Sequence, residues 1–517
     1  MKKLNMAGFR KEIGPISAAF LALGGILGSA VPFIPAIVFA EGGPIGILGW
    51  LIGLIIISLL GLIFAELGST YPETGGVVRY LHFSHGAFAS FFNAWGTFIG
   101  YFMAVISETV AIVEYIAFFF PQLYSNGYLT PQGELVTVAF LLLFFIIQYY
   151  GVKLVANVND IMTWIKVIGL VAFVIITPIL VFHFNNFNPP KQYGGFEPFG
   201  FAGALTASSI TVYAYAGFRQ PIDYAEEMKN PGRDVPRSVI ISILLSFAIY
   251  LALSIVFLGA LNWSTLGTKP YNWSYISTLS APIPQEFSGT LSSLGIYFFI
   301  IAIIATISST LVYFGSAARI LYANAKNGYM PKLFLKLNSR GVPYISLIIS
   351  LIIGILYMIA FPQFLTEASI FSVASVISYA PAAVSLIVLR VIDPSRERVF
   401  KLKYANIISP IAFAAGGLMI YWATYPTTLY TILSALVGIP IYLFYELRYK
   451  RIVLLEIKKG WWYVGWLIAI LIVSYLGSFG GINLIPYPFD IISVIMLSLL
   501  FFYIGYISGI KGVQKIE

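Results

Sequence analysis

The 517-residue chain contains no cysteine and only three histidines, and Asp, Glu, Lys and Arg together make up just 10% of it. Without cysteine, disulfides, thiolate metal ligands and thiol nucleophiles are excluded. The shortage of charge is equally informative. Hydrophobic residues reach 59% and the mean hydropathy is +0.88, which leaves too little polar material to cover a water-soluble particle of this length. The bulk of the surface therefore faces lipid. His82, His85 and His183 fall near predicted helix ends without ligand spacing, which argues against a metal site.

What is present instead is a series of hydrophobic stretches long enough to cross a ~30 Å hydrocarbon core at 1.5 Å per residue. There are fourteen, near residues 14–38, 45–68, 88–119, 134–151, 160–184, 203–224, 238–261, 294–323, 343–360, 369–389, 405–424, 428–446, 461–478 and 488–509. The first is too long and glycine-broken for a cleaved signal, so it reads as the first span.

The formal net charge of +9 raises the question of a nucleic-acid partner. Its distribution answers that question. With a cytoplasmic N-terminus and fourteen crossings, 26 of the 30 Lys and Arg residues fall on inside segments, from Lys2, Lys3, Arg10 and Lys11 at the start to Lys511 and Lys515 at the end. Only Lys191 and Lys269 fall outside, and Lys166 and Arg219 lie within spans. This is the positive-inside pattern; it places both termini in the cytoplasm and leaves no surplus charge to argue for nucleic acid. Trp461 and Trp462 beside Lys458 and Lys459 read as an interfacial anchor.

The first ten spans divide into two halves of five, offset by roughly 190 residues, with the second half inverted because five is odd. The division is residues 1–188, residues 200–392, and a four-span tail over 403–517. The first span is interrupted at Gly24-Gly25-Ile26-Leu27-Gly28-Ser29, with Pro32 and Pro35 following, and the sixth around Tyr213-Ala214-Tyr215-Ala216-Gly217. A single glycine in a membrane helix commonly serves close helix packing. Matched interruptions in corresponding places point instead to a cavity, because unpaired backbone groups survive in a bilayer only where they do not face lipid. The free N–H groups at a half-helix N-terminus attract a carboxylate and the free carbonyls attract an ammonium. An amino acid carries both.

Five segments then resemble the amino acid-polyamine-organocation superfamily of permeases over roughly residues 14–392. They are Gly24 to Ala30 with the later prolines; Ala65-Glu66-Leu67 with Tyr71-Pro72-Glu73-Thr74-Gly75-Gly76; Asn157 to Lys166; Tyr213 to Phe218 with Ala225 to Pro231 and Pro236-Arg237; and Ala318 to Tyr322 with Asn327-Gly328 and Met330-Pro331. The resemblance implies an all-α polytopic membrane protein with a five-plus-five inverted-repeat, LeuT-like fold. It implies a substrate carboxylate at Ser29 and the backbone of Gly28 and Ala30, and a substrate amine at carbonyls of Ile26, Tyr213 and Ala216 beside Gly217. The family's usual Gly-Ser-Gly reads Gly28-Ser29-Ala30 here, with less backbone freedom at the third position.

Lys166 sits about two turns inside the fifth span, where a charge costs at least ~2.5 kcal/mol unless paired or neutralised. Its side chain either snorkels to the cytoplasmic edge or acts as the built-in cation that the resemblance implies for proton-coupled members. Arg219 stands where many relatives of this kind have glutamate; it either pairs with Asp223 one turn on or serves as a gate near the substrate. Glu108 and Glu114, six residues apart on different faces, are intramembrane carboxylates and candidate partners for Arg219 or Lys166. Glu66, Arg237 and Arg319 read as cytoplasmic ends or gates, or equally as ordinary topology anchors.

The expectation is a secondary transporter of amino acids in the cytoplasmic membrane, working by alternating access in symport with protons, with no cofactor. The alternatives of the same fold are an exchanger or an amine or polyamine transporter. A membrane-embedded enzyme would need convergent His, Asp or Glu clusters and a channel a repeated filter sequence, and neither pattern occurs.

Overall fold

The computed structural model describes residues 11–125, 127–287, 289–448 and 453–513. Lys2, Lys3, Arg10, Lys450, Arg451 and Lys515, counted above among the inside charges, lie outside the described residues. Within them the chain is helical nearly throughout, apart from a two-residue hairpin pairing Tyr124–Ser125 with Tyr128–Leu129.

The first predicted span is two helices, α1 (Pro15–Ile26) and α2 (Ala30–Gly42). Gly43, at φ +66°, and a 3-10 turn over Gly43–Ile47 separate α2 from α3 (Leu48–Thr70). A short helix α4 (Gly76–His85) precedes the long α5 (Ala87–Ile116), which is followed by α6 (Pro131–Tyr149) and α7 (Val152–Leu180). The sixth predicted span is α8 (Gly200–Tyr215), a 3-10 turn over Ala216–Arg219, and α9 (Gln220–Asp223). Next come α10 (Pro231–Ala260), the short α11 (Trp273–Ile276) and α12 (Pro282–Gln285), and the 35-residue α13 (Ser292–Lys326). Then follow α14 (Tyr344–Ala360), α15 (Phe364–Tyr379), α16 (Pro381–Ile392), α17 (Ala405–Trp422), α18 (Thr427–Leu436), α19 (Gly438–Arg448), α20 (Val453–Leu476) and α21 (Phe489–Val513).

All fourteen predicted stretches fall on helix, and among the described residues eleven helical runs are long and apolar enough to cross a membrane. α1 and α14 are shorter apolar helices. Several starts are set by proline at the first helical turn, where its missing N–H costs nothing: α1, α6, α10 and α16 begin this way. α7 begins eight residues before the predicted stretch. The added turns carry Lys153, Asn157 and Asn159, which hydropathy rejects but which cost little at a helix end near the headgroups.

α5 is the centre of the bundle, buried along its spanning window and packed against α13 and α15. Around it α3 packs on α8 and α10, α1 on α10 and α7, α2 on α8, and α13 on α7. The outer helices show their side chains to the surroundings: Ile168, Ile175 and Ile179 on α7, Leu244 on α10, Leu356 on α14 and Met496 on α21 are all exposed apolar residues. Such a surface is stable only against lipid.

At the end assigned by sequence to the cytoplasm, helix ends are joined by ion pairs. Arg319 on α13 makes two hydrogen bonds of 2.6 and 3.1 Å to Glu227, and its guanidinium lies 3.9 Å from the Tyr224 ring centre. Glu66 on α3 accepts from Arg390 on α16 and from the Leu402 N–H at 2.7 Å. Arg237 is exposed. Trp461 is half exposed, whereas Trp462 is wholly buried against His85 and Phe413 and is therefore a packing residue rather than an interfacial anchor.

Candidate functional site

The first-span interruption is narrower than the glycine run suggested: helix persists through Gly24, Gly25 and Ile26, and Leu27–Ser29 alone leave it. This frees the carbonyls of the last α1 turn, since they have no N–H four residues on. Each finds a side-chain donor. Lys166 Nζ donates to the Gly24 carbonyl at 3.1 Å and the Leu27 carbonyl at 2.9 Å, Ser309 Oγ to Gly25 at 3.2 Å, and Tyr250 OH to Ile26 at 2.5 Å. Trp50 stacks on Tyr250 at 4.9 Å and fixes its ring, being itself tied to Ser254 by its indole N–H.

Lys166 is completely buried, so the snorkelling alternative is overturned. The reason is register: on α7 it faces α1 and α13 rather than the lipid. Its third hydrogen bond goes to Ser308 Oγ at 3.0 Å; Ser308 in turn donates to Asn159 Oδ1, whose amide donates to the Phe20 carbonyl. All three donors of the ammonium are thus used, two of them on carbonyls of the broken helix.

On the other side of the break, α2 presents its N-terminus, and the occupant is the protein's own Glu108. The Ser29 N–H donates to Glu108 Oε2 at 2.7 Å, while Oε1 lies 3.1 Å from Ser309 Oγ, whose single proton it shares with the Gly25 carbonyl, and accepts from Tyr213 OH at 3.5 Å. The Tyr213 hydroxyl also meets Ser29 Oγ, and Ser107 Oγ at 3.2 Å. Thus Tyr213 enters the site through its hydroxyl, and Glu108 engages the break rather than Arg219. Glu114 lies elsewhere, lining a cavity of about 520 Å³ with Phe33, Tyr124, Gln363 and Phe364 at the opposite end from the ion pairs. Phe33 and Phe364, 4.5 Å apart, and Tyr213 beyond them close that cavity from the break.

In the sixth span the interruption starts three residues later than expected, overlapping the expected segment at Ala216 and Gly217, and is a tightening into 3-10 turns at Ala216–Arg219 rather than an unwinding. Gly217 packs directly on Gly25 and Ile26; a β-carbon there would stand 2.2 Å from the Ile26 nitrogen. The Ala216 carbonyl accepts from Tyr379 OH at 2.7 Å. Arg219 is buried, and its link to Asp223 is indirect: Nε donates to Tyr101 OH at 2.8 Å, and that hydroxyl donates to Asp223 Oδ2 at 2.5 Å. The guanidinium lies 4.8 Å from the Tyr101 ring centre and 4.4 Å from that of Tyr379.

Ile26, Gly28, Ser29, Ala30, Tyr213, Ala216, Gly217, Glu108 and Lys166 therefore gather around one point, with Arg219 and Asp223 beneath it towards the ion-paired end. Tyr250, Ser309 and Tyr379 were missed from sequence. Ser309 belongs to the run Ser308-Ser309-Thr310 in the middle of an apolar helix, which was a legible signal. The two tyrosines carried none, in a chain with 34 of them.

Comparison with known proteins bears on what the arrangement serves. The family model described as amino acid permease matches residues 13–472. The chain belongs to this family. Among its relatives, the glutamate/serine transporter AimA of Bacillus subtilis (strain 168) is 33% identical over 98% of this chain and 95% of its own, and the aspartate-proton symporter of the same organism is 34% identical over 97% of each. The serine/threonine exchanger SteT, also from that strain, is 27% identical over 84% of this chain and 97% of its own. As an amino acid permease of the amino acid-polyamine-organocation superfamily, the chain is a multi-pass membrane transporter.

Proposed function

We propose that this permease moves amino acids across the cytoplasmic membrane by alternating access, in symport with protons. The two halves, residues 1–188 and 200–392, work as inverted repeats, with residues 403–517 as an outer support and both termini in the cytoplasm. Exchange of packing partners between the halves supports the repeat: α3 on α8 corresponds to α10 on α1, and α5 on α15 to α13 on α7.

The substrate carboxylate is received by the N–H groups of Gly28, Ser29 and Ala30, and its ammonium by the carbonyls of Ile26 and Ala216 beside Gly217, with Tyr213 contributing its hydroxyl rather than its carbonyl, which already accepts from the Ala216 N–H. Arg219 and Asp223 keep the inner side closed through Tyr101. The observation that carries the coupling is Lys166, a buried amine donating to two carbonyls of the interrupted first span. Losing its proton would leave two donors for the three acceptors Lys166 now holds and remove the charge that favours the carbonyls, loosening its hold on α1, so proton release and movement of the broken helix are linked. The name of the aspartate-proton symporter supports symport, and that of the serine/threonine exchanger keeps exchange as the second mode to be measured.

The test is uptake of each of the twenty amino acids into proteoliposomes, with and without an imposed pH gradient. Gradient-driven accumulation that disappears in Lys166→Ala, while counterflow exchange of the same amino acid persists, is the expected result. Absence of uptake or competition by any amino acid refutes the substrate assignment. Accumulation that ignores the gradient, and is unchanged in Lys166→Ala, refutes the coupling.

A further inference from the structure

We infer that Glu108 is the empty protein's substitute for the substrate carboxylate: its side chain closes the α2 N-terminus when no substrate is bound and must leave when one arrives. The inference rests on reading the backbone at Gly28–Ala30 as the substrate's carboxylate site. Everything expected of a carboxylate ligand there is met by Glu108. One oxygen takes the free Ser29 N–H at 2.7 Å and the other takes the hydroxyls of Ser309 and Tyr213, from α13 and α8. The carboxylate is pressed against the backbone as a ligand would be, because a β-carbon on Gly28 would stand 2.5 Å from Glu108 Oε1. Glu108 is 3% exposed and meets the break directly through the Ser29 N–H.

Two carboxylates cannot share one helix N-terminus, since each repels the other and only one can take the Ser29 N–H. Substrate and Glu108 therefore compete. Protonation weakens Glu108 as a competitor, because a neutral acid gains little from the helix dipole and is a poorer acceptor than the anion. Substrate binding should accordingly be tighter at acidic pH and weaken as Glu108 ionises, so that each substrate entering brings a proton with it on Glu108. The groups facing Glu108 are Lys166 on α7, Tyr213 on α8, Tyr250 on α10 and Tyr313 on α13, with Phe371 on α15 beyond them. Lys166 is the one cation among them, and it is retained in the variants below.

The experiment measures equilibrium binding of radiolabelled L-serine and L-glutamate to the purified full chain at acidic and alkaline pH, for wild type, Glu108→Ala and Glu108→Gln. Expected is wild-type binding that weakens towards alkaline pH, and Glu108→Ala binding roughly tenfold tighter than wild type at alkaline pH, the scale of one lost charged hydrogen-bonded competitor. In both variants the dependence on pH flattens. If Glu108→Ala fails to fold, the isosteric Glu108→Gln decides, since its amide fills the space without the charge. Variant binding that is weaker than wild type, or that keeps the wild-type pH trend, overturns the inference and leaves the transport reading standing. Wild type that binds no amino acid at any pH overturns both.

Discussion

Replacing Gly217 by alanine tests the geometry on which the site depends. The added β-carbon would lie 2.2 Å from the Ile26 nitrogen, 2.3 Å from the Gly25 carbonyl carbon and 2.8 Å from its oxygen. All three are backbone atoms and none can swing away. Ordinary contact begins near 3.4 Å, so the two interrupted spans must part by about 1.2 Å. Overpacking of this kind costs about 1–3 kcal/mol in a core that can adjust. Here the adjustment pulls on the 2.5 Å bond from Tyr250 to Ile26 and the 2.7 Å bond from Tyr379 to Ala216. A shift of about 1–3 kcal/mol lowers the occupancy of the packed conformer roughly 5- to 150-fold. Initial uptake rate in proteoliposomes should fall on that scale. Gly96→Ala on α5 is the control: its β-carbon meets nothing closer than 3.6 Å, and helix propensity favours alanine by roughly 0.5–1 kcal/mol. Full transport by Gly217→Ala in correctly folded protein would refute the reasoning that the two breaks must touch.

Arg319→Ala strands the buried carboxylate of Glu227 and should cost about 3–5 kcal/mol, read as a large drop in thermal stability; the double variant Arg319→Met/Glu227→Leu should recover most of it, and a double variant as unstable as the single would show that the pair is not what matters. Tyr101→Phe removes the hydroxyl between Arg219 and Asp223 and should lower stability by about 1–3 kcal/mol without abolishing binding of substrate at Ser29, checked by melting and by binding on the same sample. Tyr250→Phe leaves the Ile26 carbonyl one donor short and should weaken transport more than Tyr297→Phe, whose hydroxyl binds the Gly169 carbonyl in a half-buried position; equal effects would argue against a special role for the break.

Much of the fold was legible because lipid imposes a coarse rule. Stretches such as 238–261 and 343–360 had to be helical, since only a helix pairs all its backbone groups within one continuous apolar segment of that length. Errors came where polar residues are tolerated, as in the early start of α7. Trp462 was misread for a related reason: its basic neighbours predicted an interface, but helix register turned it inward onto His85 and Phe413.

The sequence by itself determined that the chain is a many-span membrane protein, where its first span breaks, and which family it belongs to, because hydropathy and local glycine and proline chemistry are properties of short segments. Tertiary structure decided what the freed backbone groups meet. Lys166, Ser309 and Tyr250 lie 142, 284 and 224 residues from the carbonyls they serve, and Glu108 lies 79 residues from the Ser29 N–H. No local pattern encodes such pairings. They arise only when α5, α7, α10 and α13 pack around the break, where burial makes a freed backbone carbonyl costly to leave unpaired.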